Sequence, residues 1–277
     1  MTDLSGRHFL VTGANTGIGK ETARELARRG GRVTLAGRSE EKTRAAMADI
    51  AGTVPDADLA FLQLDLGDLA AVRRSAEEFL AREEPLDVLV NNAGLAGAKG
   101  MTASGFELAF GTNHVGPFLF TQLLLDRLKA SDAARIVNVA SEAHYSAKGI
   151  DWEAVRKPTS GRAGLPEYAV SKLANVLHAQ ELARRLDGTS VTTYSLHPGV
   201  IASDVWREVP GPLRALAKLF MKSTEDGAKT SLYCATSEAA ASETGLYYDK
   251  SKPKTPNAVA TPELGAELWD RSEAWVS

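Results

Sequence analysis

Short apolar runs alternate with longer stretches of helical period along almost the whole chain. Arg7 to Thr12 (RHFLVT) reads as a buried strand that stops at Gly13. Gly17 to Gly30 follows with Ile18, Thr22 and Leu26 on one side, the spacing of a helix. The cycle then repeats. Further strands are expected at Arg32 to Ala36, Leu59 to Leu64, Leu86 to Val90, Arg135 to Ala140 and Ser190 to Leu196, with a short one near Leu246 to Tyr248. Helices are expected over Ser39 to Ile50, Asp68 to Glu83, Met101 to Lys129 with a break near Asn113, Leu165 to Leu186, Thr224 to Thr236 and Thr261 to Ala274. Ser39 and Asp68 stand where N-caps belong. Ser141 to Gly164 has no long period and reads as an irregular loop. Strands separated by helices predict an α/β fold, a doubly wound parallel sheet of about seven strands with helices on both faces. With no linker in view, residues 1–277 read as a single domain.

Composition narrows the function classes. The 277 residues carry 44% hydrophobic and 24% charged side chains and a net charge of −3, with acids and bases mixed. That excludes the basic surface of a nucleic-acid binder and a polybasic membrane patch. One cysteine, Cys234, allows neither an intramolecular disulfide nor a thiolate zinc cluster. His114, His144, His178 and His197 are scattered without metal-ligand spacing, so no metal is expected. The first residues lack a secretory signal pattern, and no run approaches the roughly 20 apolar residues of a transmembrane helix. A cytoplasmic protein is the expectation.

The turn after the first strand carries candidate chemistry. TGANTGIG, Thr12 to Gly19, places Gly13, Gly17 and Gly19 where a strand becomes a helix. Glycine lets backbone approach a ligand, and a helix N-terminus offers free N–H groups and partial positive charge to a pyrophosphate. The spacing G-x-x-x-G-x-G differs from the commoner G-x-G-x-x-G fingerprint. At the end of the second strand, positions 35 to 39 hold no acid to grip a ribose 2′-hydroxyl, but Arg38 is there, and Lys20 follows the third glycine. Two cations would suit a 2′-phosphate, which points to NADP(H) over NAD(H); the alternative is a pair of surface cations. Tyr168 and Lys172, in YAVSK, lie at i and i+4 on a predicted helix. A cation beside a phenol favours the phenolate and lowers its pKa, which makes the pair a candidate acid and base. Read alone, the pair is equally a solvated helix face.

Taken in order, these pieces resemble the short-chain dehydrogenase/reductase family, with its Rossmann-type fold, over nearly the whole chain. The matching residues are TGANTGIG, Asp65-Leu66, NNAG at Asn91 to Gly94, Asn113, Ser141, YAVSK and HPG at His197 to Gly199. NTGIGKETA, NHVGPFLFT, SKLANVLHAQELARRL, LHPGVI and the closing AELWDRSEAW are most similar to the retinol dehydrogenase-like branch. The resemblance implies a catalytic set of Asn113, Ser141, Tyr168 and Lys172. Tyr168 would be the acid in reduction and the base in oxidation, and Lys172 would lower its pKa and hold the nicotinamide ribose. Ser141 would bond the substrate carbonyl, and Asn113 would hold a water linking Lys172 to solvent. Cofactor contacts would come from Gly13, Asn15, Thr16, Gly17, Ile18, Gly19, Lys20, Arg38, Asp65, Leu66, Asn92, Ala93, Gly94, Tyr168, Lys172, Pro198, Gly199, Val200 and Ser203, with Asp65 at the adenine. Ser203 stands where the family usually has threonine.

Two segments bear on the substrate. The stretch between Ser141 and Tyr168 is longer than in most of the family and reads as part of a substrate rim. Val200 to Lys222 carries Val205, Trp206, Leu213, Leu216, Leu219 and Phe220, and reads either as a substrate lid or as core packing. The expected partner is a small lipophilic carbonyl or alcohol, retinal-like or another hydrophobic aldehyde or ketone. A ketoreductase of polyketide or aromatic natural-product metabolism is the alternative within enzymes, and a non-catalytic dinucleotide-binding sensor the alternative outside them. Family members commonly pair two helices across a two-fold axis, so a homodimer is the expected assembly, with Phe118, Phe120, Leu124 and Leu177 serving either that interface or the sheet.

Overall fold

The computed structural model describes residues 2–199 and 223–277. Its strands are β1 (His8–Thr12), β2 (Arg32–Gly37), β3 (Leu59–Gln63), β4 (Val88–Asn91), β5 (Arg135–Val139), β6 (Thr192–His197), β7 (Leu246–Asp249) and β8 (Lys252–Pro253). They form one sheet in the order β3-β2-β1-β4-β5-β6-β7-β8. All neighbours are parallel except β7 and β8. The chain starts at β1, winds outward to β3, then returns to β4 on the other side of β1. The carboxyl ends of β1 and β4 therefore flank the switch point where ligands bind in this architecture.

The eighth strand is a departure from the seven expected. Lys250 and Ser251 both take positive φ (52° and 59°) and reverse the chain in two residues. Asp249 then pairs with Lys252, and the Lys254 ammonium lies 2.9 Å from the Asp249 carboxylate. Two-residue turns of this hand usually announce themselves with Asn-Gly or Asp-Gly. Lys-Ser carries no such signal.

Alternate residues of the strands feed two cores, one per face. Leu10, Leu89 and Ile136 belong to one, while Phe9, Val11, Val88, Val90 and Val137 belong to the other. Helices α1 (Gly17–Arg28), α2 (Glu40–Ala51) and α7 (Thr224–Thr236) cover the second through Leu26, Ile50 and Leu232. Helices α3 (Leu69–Leu80), α5 (Gly116–Lys129), α6 (Leu165–Arg185) and α8 (Pro262–Val276) cover the first through Phe79, Leu124, Leu173 and Leu268. Strands buried on both faces need apolar residues at successive positions, which is why the runs read as continuous. The expected caps form: Ser39 accepts the Lys42 N–H at 3.3 Å, and Asp68 that of Ala70 at 2.9 Å. Among the described residues, no helix is long and apolar enough to cross a membrane.

The middle helix is shorter than its pattern. It begins at α4 (Leu108–Phe110), not at Met101, because Met101 bridges Glu107 around a turn at Gly105. The expected break near Asn113 is a π turn, Gly111–Val115, that runs into α5. Pro117, four residues after Asn113, has no N–H to give its carbonyl, which breaks the regular ladder there. Phe118, Phe120, Leu124 and Leu177 are all buried inside the chain. The Phe118 ring lies 5.0 Å from that of Trp269 in α8, so this chain's own last helix covers that face.

Candidate active site

The glycine turn is held by the end of β4. The Thr12 hydroxyl accepts the N–H groups of Asn92 (3.1 Å) and Ala93 (2.9 Å), and Asn92 Nδ2 donates to the Thr12 carbonyl at 2.8 Å. Gly13 takes φ +66°, and a Cβ there would stand 2.8 Å from the Ala93 Cα. A Cβ on Gly19 would stand 2.6 Å from the Gly13 carbonyl oxygen. No larger residue fits either place without moving backbone. The first turn of α1 holds no acid, so its free N–H groups keep their positive field. Thr16 is the N-cap residue, and Gly17, Ile18 and Gly19 thus form an anion-ready edge.

The two cations expected at a 2′-phosphate divide. Lys20 pairs with Asp49 at 2.9 Å, and Arg24 reaches the same carboxylate. Hydrogen bonds from Arg24 and Lys20 hold the Asp49 carboxyl down to about 2. Lys20 is therefore already partnered. Arg38 is exposed, directly after β2, and has no ion pair or hydrogen bond among the described residues. Asn15 Oδ1 would lie 3.7 Å from a Cβ on the neighbouring Gly37. Asp65 accepts the Gly67 N–H at 2.9 Å, while the Leu66 side chain is buried in the core. Pro198 and Gly199 follow β6 at the same sheet edge. Val200, Ser203 and the whole expected lid, 200–222, lie outside the described residues.

The four residues of the expected catalytic set belong to three neighbouring elements. Ser141 follows β5, Tyr168 and Lys172 lie on α6, and Asn113 lies in the π turn. Lys172 Nζ donates to the Val139 carbonyl at 2.8 Å and sits 5.6 Å from the Tyr168 ring centroid. A Cβ on Gly94 would lie 3.2 Å from Asn113 Oδ1 and 3.3 Å from Lys172 Nζ, so NNAG touches both. The Ser141 hydroxyl oxygen accepts the Ala143 N–H at 3.2 Å, and the Ser141 and Tyr168 side chains hydrogen-bond each other. With that N–H donating to it, the serine has its own proton left to give.

The expected lowering of the Tyr168 pKa is not what burial gives. Burial pushes the Tyr168 phenol above its ordinary value, and only the Ser141 hydrogen bond opposes it. Lys172 meanwhile donates to the Val139 carbonyl and is itself drawn by burial down to about 7. The phenol therefore carries its proton at neutral pH. The Asn113 side chain is held by its own chain, with both amide hydrogens engaged. Its amide accepts the Leu95 N–H (2.9 Å) and donates to the Leu95 carbonyl (3.0 Å) and Ser171 Oγ (2.9 Å). Ser171 in turn donates to the Tyr168 carbonyl at 2.8 Å. Asn113 thus ties α6 to the loop after β4.

Some positioning residues escaped the sequence reading. Asn175 Nδ2 shares the Val139 carbonyl at 3.2 Å, and its place one turn after Lys172 was the available signal. His197 accepts the Glu142 N–H on Nδ1 at 3.2 Å and so steadies the turn after Ser141. The insert before Tyr168 forms three 3-10 turns, Glu142–Ser146, Ala154–Arg156 and Arg162–Gly164. It docks on the segment before α4: Glu107 donates its N–H to the Val155 carbonyl at 2.8 Å, and Arg156 lies 4.1 Å over the Phe106 ring. Among the described residues, no group of three or more His, Cys, Asp or Glu could hold a metal.

The chain is similar to known proteins in sequence and in fold. The family model described as short chain dehydrogenase matches residues 7–212. Dehydrogenase/reductase SDR family member 13 of Homo sapiens is 44% identical over 280 residues, covering 99% of this chain and 74% of the relative. Retinol dehydrogenase 12 of Mus musculus is 44% identical over 275 residues, 97% of this chain and 86% of the relative. Among solved structures, an uncharacterized protein from Mycobacterium paratuberculosis superposes with TM-score 0.80 at 33% identity, covering 100% of this chain and 95% of that one. A short chain dehydrogenase from Shigella flexneri complexed with NADP does so with TM-score 0.70 at 25% identity, covering 91% and 100%.

Proposed function

Since the chain belongs to the short chain dehydrogenase family, in its retinol dehydrogenase-like branch, and is an NAD(P)-dependent oxidoreductase acting on CH–OH groups, we propose that it uses NADP(H) to interconvert a carbonyl and an alcohol on a lipophilic substrate, with Tyr168 as acid and base. The observation that carries this reading is the convergence of Ser141, Tyr168 and Lys172 at the end of β5. When bound, the dinucleotide supplies or takes the hydride. In reduction the substrate oxygen gains negative charge. The Ser141 hydroxyl donates a hydrogen bond to it, and the Tyr168 phenol, protonated at neutral pH, gives up its proton. In oxidation the same phenol must lose a proton first. Lys172 would favour that state, and would hold the ribose, once it leaves the Val139 carbonyl.

Three observations support the finer points. Arg38 is exposed and unpaired among the described residues, and a structural relative is complexed with NADP, which favour a 2′-phosphate. Leu165 is 45% exposed one turn before Tyr168, and Tyr145 is 37% exposed four residues after Ser141. Large apolar groups exposed this close along the chain to Ser141 and Tyr168 suit a hydrophobic substrate. The segment 200–222 as lid belongs to the same proposal.

The test follows absorbance of the reduced nicotinamide with NADPH and a panel of hydrophobic aldehydes and ketones. Tyr168→Phe is expected to lower turnover by about 10²- to 10⁴-fold while NADPH still binds. Turnover matching the parent would overturn the assignment, and tight NADPH binding with no carbonyl turned over would favour a sensor. Arg38→Asp is expected to move the NADPH/NADH ratio toward NADH. An unchanged ratio would remove Arg38 as the phosphate reader.

A further inference from the structure

The turn that carries Ser141 is fastened to a segment of the chain 113 residues further on. His144 gives the Ser141 carbonyl two donors, its backbone N–H at 3.1 Å and its ring Nδ1 at 2.7 Å. The other ring nitrogen, Nε2, lies 3.1 Å from the backbone N–H of Asn257. A backbone N–H can only donate, so Nε2 is the bare nitrogen and Nδ1 holds the hydrogen. A carbonyl can only accept, so the Ser141 side demands the same tautomer. Both neighbours agree on one form of the ring, neutral and Nδ1-protonated, and burial lowers its pKa in support of that form.

Asn257 also closes the turn itself. Its Nδ2 donates to the carbonyls of His144 and Ala147, each at 2.8 Å. The His144 ring is fully buried, 4.0 Å from the Tyr145 ring and 4.7 Å from that of Tyr247 on β7. Tyr145 donates its hydroxyl to the Thr255 carbonyl at 2.6 Å. The turn Glu142–Ser146 is thus laced to the segment after β8, and it is this turn that presents the Ala143 N–H to Ser141 Oγ.

We propose that His144 and Asn257 are positioning residues that hold the Ser141 hydroxyl in its donating orientation toward the substrate oxygen, and that the 255–257 segment is thereby part of the catalytic apparatus. The proposal rests on the reading of Ser141 as the group that bonds the substrate carbonyl. Oriented donors lose most of their effect when displaced by about 1 Å, at a cost of about 10²-fold. Neither residue touches the reacting atoms.

The experiment measures kcat and KM with NADPH and a hydrophobic carbonyl, NADPH affinity by nicotinamide fluorescence, and the imidazole 15N shifts of His-labelled protein. Asn257→Asp keeps the backbone N–H and the side-chain size but removes both donors. His144→Phe keeps the ring packing and removes both ring bonds. Each is expected to lower kcat by about 10- to 100-fold with NADPH affinity unchanged. His144→Asn, whose amide can replace the Nδ1 hydrogen, is expected to recover part of the loss. Parent-like kcat in both Asn257→Asp and His144→Phe, alongside an inactive Tyr168→Phe, would overturn the proposal and leave the assigned reaction standing. An active Tyr168→Phe would instead strike the reaction. The 15N shifts decide the clamp independently of activity, even for a variant that folds poorly: an Nε2-protonated His144 in the parent overturns it, and the Nδ1-protonated form upholds it.

Discussion

Lys172 and His178 share helix α6, are each 3% exposed, and are each drawn by burial toward the neutral form, to about 7 and about 4. Their surroundings differ. Lys172 meets the Val139 carbonyl and lies beside Gly94, Asn113 and the Tyr168 phenol at the carboxyl edge of the sheet. His178 packs among rings, 5.3 Å from Phe118, 5.9 Å from His114 and 6.0 Å from Trp269, and its Nε2 has no hydrogen-bond partner among the described residues. A displaced pKa reports burial in both places. Only convergence of polar groups on the open edge of the sheet separates a site from a core.

Substitution should separate the two most sharply in turnover. Lys172→Met is expected to lower kcat by about 10²-fold or more, and His178→Phe to leave it within about twofold. A comparable loss at both positions, measured with NADPH and a hydrophobic carbonyl, would break the distinction. A smaller effect lies in stability against pH. The Lys172 folded value lies below the ordinary 10.5, so between about 7 and 10.5 the unfolded chain binds more protons and stability rises with pH. The burial cost is full below that window and gone above it. Lys172→Met should therefore gain more over the parent in thermal melts near pH 6.5 than near pH 10. For His178 the same sign applies between about 4 and 6.5, so the parent weakens as pH falls through that range and His178→Phe flattens the fall. A steeper acid loss in the variant would refute the buried neutral ring. The smallest effect is expected for His178→Phe at neutral pH, a nearly volume-conserving swap that should change stability by less than about 1.5 kcal/mol in denaturant titration.

Much of the fold was legible because its signals are local. The apolar runs, the caps at Ser39 and Asp68, and the glycines before α1 each act within a few residues. The β7–β8 hairpin was not legible, since Lys250-Ser251 lacks the usual turn residues and is supported by pairs such as Asp249 with Lys254. The start of the middle helix was misread because residues 101–107 keep a helical look while Thr102 and Phe106 bond each other across a turn.

The candidate site divides in the same way. Tyr168 and Lys172 were visible as a pair because helix geometry relates i to i+4. The sign of the phenol's shift was not, since burial in the folded chain raises it and outweighs the Ser141 hydrogen bond. Likewise Arg38 and Lys20 looked equivalent until α2 brought Asp49 to one of them. By itself the sequence determined the order of elements, the glycine turn before α1 and the pairing of Tyr168 with Lys172 on one helix, all properties of short range. The tertiary structure decided which charges are paired, what Lys172 bonds and how the turn after Ser141 is fastened, because each of these depends on partners such as Asp49, Val139 and Asn257 that are distant along the chain and are brought close only by packing.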